Sequence, residues 1–411
     1  MLLYRYAAAW LMLCCAASLA VAQTQPDTLK KPAPAHTPIS SKWYERISLR
    51  GYAQMRYNRL LETNPELRCE QCDKGIGKNQ GFSFRRARLV FSGDVHERFS
   101  IYLQFDYSAD ATSTNKHFLQ VRDAYFDYAL DAKKEYRLRF GQSKVPYGFE
   151  NMQSSSNRLP FDRADALNSG VPNERDLGVF FYYAPKHIRA RFKYLVDEGL
   201  KGSGDYGVAA LGVYDGQATN KPELNDQLHA VARLTYPFKL GKKQIVEPGL
   251  QAYTGQFTLA PDQLSAGVKT VKGATYLDQR VGATLVLYPQ PFGVLAEYNV
   301  GKSPTFNTVT DSIAVGNLHG GFVTLSCRRV LRNHSVLIPY VRFQSYTGAK
   351  KHELDARYYQ VQETELGIEW QIIKNLELTL AYALSKRQFN DMKTTYDESG
   401  RFLRIQVQAN Y

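Results

Sequence analysis

Beyond its leading segment, the chain has no run of about eighteen apolar residues, which excludes a bundle of transmembrane helices. Cysteine is scarce, with 5 in 411 residues. Cys69 and Cys72 form a C-x2-C, but no second pair of cysteines or nearby histidines completes a metal site. A local disulfide is the expectation there, and no metal or other cofactor is expected. The eight histidines are scattered, and neither H-E-x-x-H nor G-x-S-x-G occurs, which removes the familiar zinc-hydrolase and serine-hydrolase patterns. Gly202-x-Gly204-x-x-Gly207 matches a dinucleotide fingerprint in letters only, because no helix is expected to follow it. No domain junction is visible either, despite a length that two or three soluble domains would fill.

What is present begins with Arg5, an apolar stretch from Ala7 to Ala20, and small residues at Ala20-Val21-Ala22. That is the layout of a signal peptide over residues 1–22, with cleavage expected near Ala22 and export as its consequence. Leu13 before Cys14 is too bulky for a lipidation site. Residues 23–43 are a Pro-rich segment (Pro26, Pro32, Pro34, Pro38), expected in the periplasm, and residues 44–411 form the main domain. Tyr (28) and Phe (21) are abundant although mean hydropathy is −0.40. Many aromatics in a hydrophilic chain suit a membrane barrel with aromatic girdles and a wet interior. Net charge is +13, from 52 basic and 39 acidic residues. Such a balance points to nucleic acid, an anionic surface or anionic solutes, and export removes the first.

Period-two alternation recurs along the chain. Ile47, Leu49, Ala53, Met55 and Tyr57 alternate with Ser48, Arg50, Gln54 and Arg56; Leu138 and Phe140 alternate with Arg137 and Arg139. Ile188, Ala190, Phe192, Tyr194 and Val196 read the same way against Arg189, Arg191 and Lys193. These segments are long enough for tilted strands to cross a bilayer, and strands in lipid must close on themselves. An arginine facing lipid at mid-membrane costs roughly 2–4 kcal/mol, so Arg50, Arg86, Arg88, Arg137, Arg139 and Arg191 are expected to face the lumen. At about 23 residues per strand and connection, an all-β antiparallel barrel of about 16 strands is predicted. Tyr411, the aromatic last residue of an alternating strand, resembles the C-terminal signal read by the outer-membrane barrel assembly machinery.

Several ordered stretches resemble the phosphate-selective porin O and P family. They include Phe84-Arg85-Arg86-Ala87-Arg88-Leu89, Arg122-Asp123-Ala124-Tyr125-Phe126-Asp127-Tyr128, Arg139-Phe140-Gly141-Gln142-Ser143-Lys144-Val145-Pro146, Arg175-Asp176-Leu177-Gly178-Val179 and Ala232-Arg233-Leu234-Thr235-Tyr236. The resemblance implies a 16-stranded, trimeric barrel in a Gram-negative outer membrane, surrounded by lipid and lipopolysaccharide, with a loop folded into a pore that passes small anions. The non-alternating stretch from Tyr147 to Asp176 suits that loop and makes Lys144, Arg158, Arg163 and Arg175 candidate constriction residues. Glu150, Asp162, Asp165, Glu174 and Asp176 dilute the loop's positive charge, so phosphate preference stays open. Two other classes stay open beside an anion porin: a barrel enzyme with a site at one rim, and a plugged structural or adhesion barrel.

Overall fold

A computed structural model describes residues 42–69, 81–109, 117–241 and 243–411. The signal peptide, nearly all of the Pro-rich segment and Cys72 lie outside these residues; Cys69 is disulfide-bonded. The chain divides into Met1–Glu45 and Arg46–Tyr411. Of the first unit only Lys42 and the start of a short 3-10 turn, Trp43–Arg46, are described.

The second unit is a closed antiparallel barrel. Its strands are β1 (Ile47–Leu60), β2 (Phe82–His96), β3 (Phe99–Ala109), β4 (His117–Ala129), β5 (Tyr136–Lys144), β6 (Arg175–Tyr183) and β7 (Ala209–Tyr214). Next come β8 (His229–Thr235, resumed at Phe238–Leu240), β9 (Gln244–Thr258), β10 (Thr275–Leu287), β11 (Phe292–Asn307) and β12 (Ser312–Cys327, resumed at Arg329–Val330). The circuit ends with β13 (Val336–Ala349), β14 (Tyr358–Ile373), β15 (Leu376–Asp391) and β16 (Thr394–Asn410). Pro237 has no N–H to give the ladder, and β8 is interrupted there; both of its pieces pair with β9. Both pieces of β12 likewise pair with β13. Sixteen strands result among the described residues, and β1 closes the circuit by pairing with both β2 and β16. Alternation sorts the faces as expected: Leu211, Leu250 and Leu285 are exposed to the outside, while Gln54, Arg56, Arg88 and Arg404 are buried inside.

Two segments fold inward. Residues 145–174 join β5 to β6 and contain two single helical turns, α1 (Phe149–Met152) and α2 (Asp165–Asn168). Val145, Tyr147, Leu167 and Val171 pack on Phe180, Tyr182, Tyr214, Tyr253 and Phe322 of the wall, so one side of the interior is apolar and filled. Glu297 of β11 fixes the loop by accepting the backbone N–H groups of Phe149 (2.8 Å) and Glu150 (2.7 Å). The second segment joins β6 to β7 at the termini end and begins with α3 (Lys186–Asp197). Its continuation meets the first: the Lys201 carbonyl accepts from Gln153 Nε2 (2.5 Å), and Asn157 Nδ2 donates to the Gly202 carbonyl (2.6 Å). Lys201 Nζ also reaches Glu369 of β14 at 2.5 Å.

The strand expected over Ile188–Val196 is a helix instead. Ile188, Phe192 and Leu195, at helical spacing, are buried against Phe149, Ile245, Val286 and Tyr288. Tyr194 and Val196, apolar in the alternating reading, are exposed. Packing against the barrel end satisfies the 3.6-residue period and leaves the two-residue period unfulfilled. Arg191 is therefore on α3, not on a lumenal strand face, and its guanidinium donates to the Pro237 carbonyl.

Candidate functional site

The basic side of the interior is built on β1 to β5. In β2, Arg86 pairs with Gln54 of β1, but Phe84 pairs with the next residue, Met55. Arg85 is the extra residue of a β-bulge, and the bulge turns two consecutive side chains inward. Arg85, Arg86 and Arg88 are all buried in the interior, while Phe82, Phe84 and Leu89 face out. Alternation alone selects Arg86 and Arg88 and misses Arg85. The signal for it was the change of phase, since the outward residues are even-numbered before Arg85 and odd-numbered after Arg88.

These three arginines line a polar cavity of about 180 Å³ together with Arg122 of β4 and Arg163 of the inward loop. The carboxylates on its lining are Asp106 and Glu353, against five guanidiniums. Arg88 Nη2 is 3.0 Å from Asp106 Oδ2, and Arg122 Nε lies 3.6 Å from the same oxygen. Arg86 Nη1 donates to Gln54 Oε1 at 3.1 Å and has no carboxylate partner within 4.0 Å among the described residues. The Nε atoms of Arg85 and Arg122 are buried without a hydrogen-bond acceptor among the described residues. A small oxyanion matches this donor set, because guanidinium forks offer paired N–H groups to two oxygens at once.

The loop's acids bind the wall. Asp162 lies between Arg404 Nη1 (2.6 Å), Arg56 Nη1 (3.2 Å) and Arg85 Nη2 (3.7 Å). Glu150 meets Arg342 at 2.9 Å, and Asp165 meets Lys350 at 2.7 Å and Arg387 at 3.2 Å. Burial by itself raises the Asp162 carboxyl, but Arg56, Arg404 and Arg85 outweigh it and hold it well below the usual carboxylate range. Asp165 behaves alike under Arg387 and Lys350. The same acids that lower the loop's net positive charge anchor it to the wall.

The expected site residues are distributed as follows. Arg50, Arg86, Arg88, Arg137 and Arg139 occupy lumenal positions of β1, β2 and β5. Arg50 is exposed and lies 5.9 Å from the Tyr102 ring, while Arg139 is held by Asp127 (2.7 and 2.9 Å) and stacks 3.8 Å over Tyr125. Arg137 donates to Asp205 Oδ1 at 2.8 Å. The four loop-end candidates converge on Glu174: Arg163 at 3.1 Å, Arg158 at 3.7 Å and Lys144 at 4.0 Å, with Arg175 also paired to it and to Asp123. Lys144 Nζ is further occupied by the carbonyls of Met152 (3.0 Å) and Gln153 (2.5 Å), so it pins the loop's start. Arg163 alone of these four reaches the cavity. Burial lowers its guanidinium to about 10 despite Glu174, which still leaves it charged at neutral pH.

The family model for the phosphate-selective porins O and P matches residues 67–411. No curated protein matches the sequence. Among solved structures, Salmonella typhi OmpF in complex with daunomycin is similar at 14% identity and a TM-score of 0.52, covering 89% of this chain and 97% of that one. An anion-selective porin from Comamonas acidovorans has 10% identity and a TM-score of 0.50, with 89% and 99% covered. The trimer form of OmpT, an outer membrane protein of Vibrio cholerae, gives 10% identity, a TM-score of 0.50 and the same coverage. Each likeness is one of fold.

Proposed function

The chain belongs to the phosphate-selective porin O and P family, and from that premise we propose that this outer-membrane porin prefers anions and that the cavity of Arg85, Arg86, Arg88, Arg122 and Arg163 is its selective site. One observation carries the reading: five guanidiniums share a small polar cavity with two carboxylates. Fixed cations lower the entry cost of an anion and raise that of a cation, and low-dielectric walls strengthen the field. Arg50, Arg137 and Arg139 extend the positive strip toward the termini end. Phosphate, with oxygens for several forks, is the anion this donor set suits best. The Comamonas acidovorans porin of similar fold is anion-selective by description, and the Vibrio cholerae protein has a trimer form. We extend the reading to a homotrimer, to export by the leading segment and to recognition of Tyr411 by the assembly machinery.

The test is the reversal potential of the purified protein in a planar bilayer under a KCl gradient, with phosphate added as a blocker. Chloride preference and phosphate block are expected. Removing one unit charge about 7 Å from a passing anion is worth roughly 0.6–2.4 kcal/mol at effective dielectric constants of about 80 to 20. Arg86→Gln should therefore lower anion permeability by roughly 3- to 60-fold, and the anion-to-cation ratio by more, because the cation gains what the anion loses. A ratio unchanged in this variant removes the cavity from the pathway. Cation preference in the unmodified protein overturns the proposal outright. Absence of channels favours a plugged barrel, for which the meeting of the two inward segments would be the reason.

A further inference from the structure

The outer wall carries a feature that conduction does not use. Outward residues of β5 to β12 line a concave groove of about 1230 Å³. Its surface is apolar, with Leu211, Val213, Val281 and Val300 exposed around the small Ala230 and Ala232. A polar row crosses its loop-side margin, where Gln279 of β10 pairs with Lys302 of β11 and Lys302 with Asn317 of β12. His319 follows beside Val300. Lys302 and His319 are exposed, and neither has an ion-pair or hydrogen-bond partner among the described residues. The carboxylates of the same strands, Asp278 and Glu297, are buried on the opposite, lumenal face.

A lysine on a lipid-facing strand is unfavourable unless it reaches head-group level or meets an anion. We infer that the groove binds a phosphate-bearing acyl lipid. Its chains lie along Val213, Val281 and Val300, and its phosphate sits on Lys302 and His319. Charge complementarity selects this occupant: the floor asks for hydrocarbon, the margin for an anion, and a lipid of the surrounding bilayer supplies both in one molecule. The site is separate from the lumenal cavity, because the barrel wall stands between them.

Native mass spectrometry of the full-length protein in detergent provides the test, with dioleoylphosphatidic acid as probe and dioleoylglycerol as the phosphate-free control. Only preparations that keep the heat-modifiable gel mobility of a folded barrel are used. The unmodified protein should retain phosphatidic acid and release diacylglycerol. Lys302→Gln should weaken retention about fivefold, and adding His319→Gln should weaken it further. Val300→Trp, which fills the groove and leaves the charges in place, should reduce retention too, and it keeps the test open if the charge variants fail to fold. Equal retention of both lipids, or of phosphatidic acid by all variants, overturns the inference. So does a change of oligomeric state in Val300→Trp at unchanged lipid retention, which would make the groove a contact between copies of this chain.

Discussion

Asp162→Asn tests how the inward loop is held. The native carboxylate faces Arg404, Arg56 and Arg85 at 2.6, 3.2 and 3.7 Å, all within the barrel. Removing one partner of a buried pair costs about 3–5 kcal/mol, because the remaining charges stay desolvated. An amide oxygen can still accept one hydrogen bond from Arg404, which places the expected loss at the lower end of that range. Glu150–Arg342 and Asp165–Lys350 hold the loop on either side, so the cost should appear as local release around residues 158–163 and not as loss of the barrel. Single-channel recording in planar bilayers should show larger current noise and a changed unitary conductance, with the folded gel mobility preserved. A double-mutant cycle with Arg404→Met, read from guanidinium unfolding midpoints, should return a coupling of at least about 1 kcal/mol. Additive effects within about 0.5 kcal/mol, together with native noise, would refute the anchoring argument.

Three further outcomes follow from the same geometry. Arg191→Gln should leave the permeability ratio within about twofold of the unmodified protein, since one charge at the barrel end is largely screened over about 8–10 Å of salt solution; a large shift would return Arg191 to the pathway. Lys201→Met should raise conductance by releasing the segment after α3 from Glu369 and loosening the termini-end mouth, whereas equal conductance would show that the contact does not narrow it. Acid stability should follow the depressed carboxyls of Asp162 and Asp165. A folded value held below the unfolded one stabilises fully above the unfolded range near about 4, and the contribution is lost as pH falls from there toward the folded value. Unfolding midpoints should stay level from pH 7 to about 5 and fall below about 4, with a flatter acid limb in Asp162→Asn; parallel limbs would contradict the assignment.

Much of the barrel was legible because a lipid-facing strand cannot hide its period. The apolar faces read on β1 and β5 are outward faces in the structure, with Leu49 and Met55 exposed and Arg56, Arg137 and Arg139 buried inside. The helix at Lys186–Asp197 was misread because a twelve-residue amphipathic segment with aromatic and β-branched residues supports both periods, and only packing against Ile245 and Val286 decides between them. Arg85 was missed because alternation assigns one side chain in two to the lumen, and a bulge suspends that rule. The loop's position was visible in its lack of alternation. Its electrostatics were not, because the partners of Glu150, Asp162 and Asp165 are about 80 to 240 residues away, on β1, β2, β13, β15 and β16 among others.

The bulge in β2 also has a consequence for descent. On one side of Arg85 the even positions touch lipid, and on the other the odd positions do, so the extra residue works like a shift of reading frame inside a single strand. Deleting Arg85 would leave the composition almost unchanged but force one half of the strand to exchange its surfaces, sending Phe82 and Phe84 into water or Leu89 and Phe91 into the pore. A lineage keeping these three arginines close together must therefore keep the insertion as well, and the strand can drift by substitution far more freely than by gain or loss of a residue.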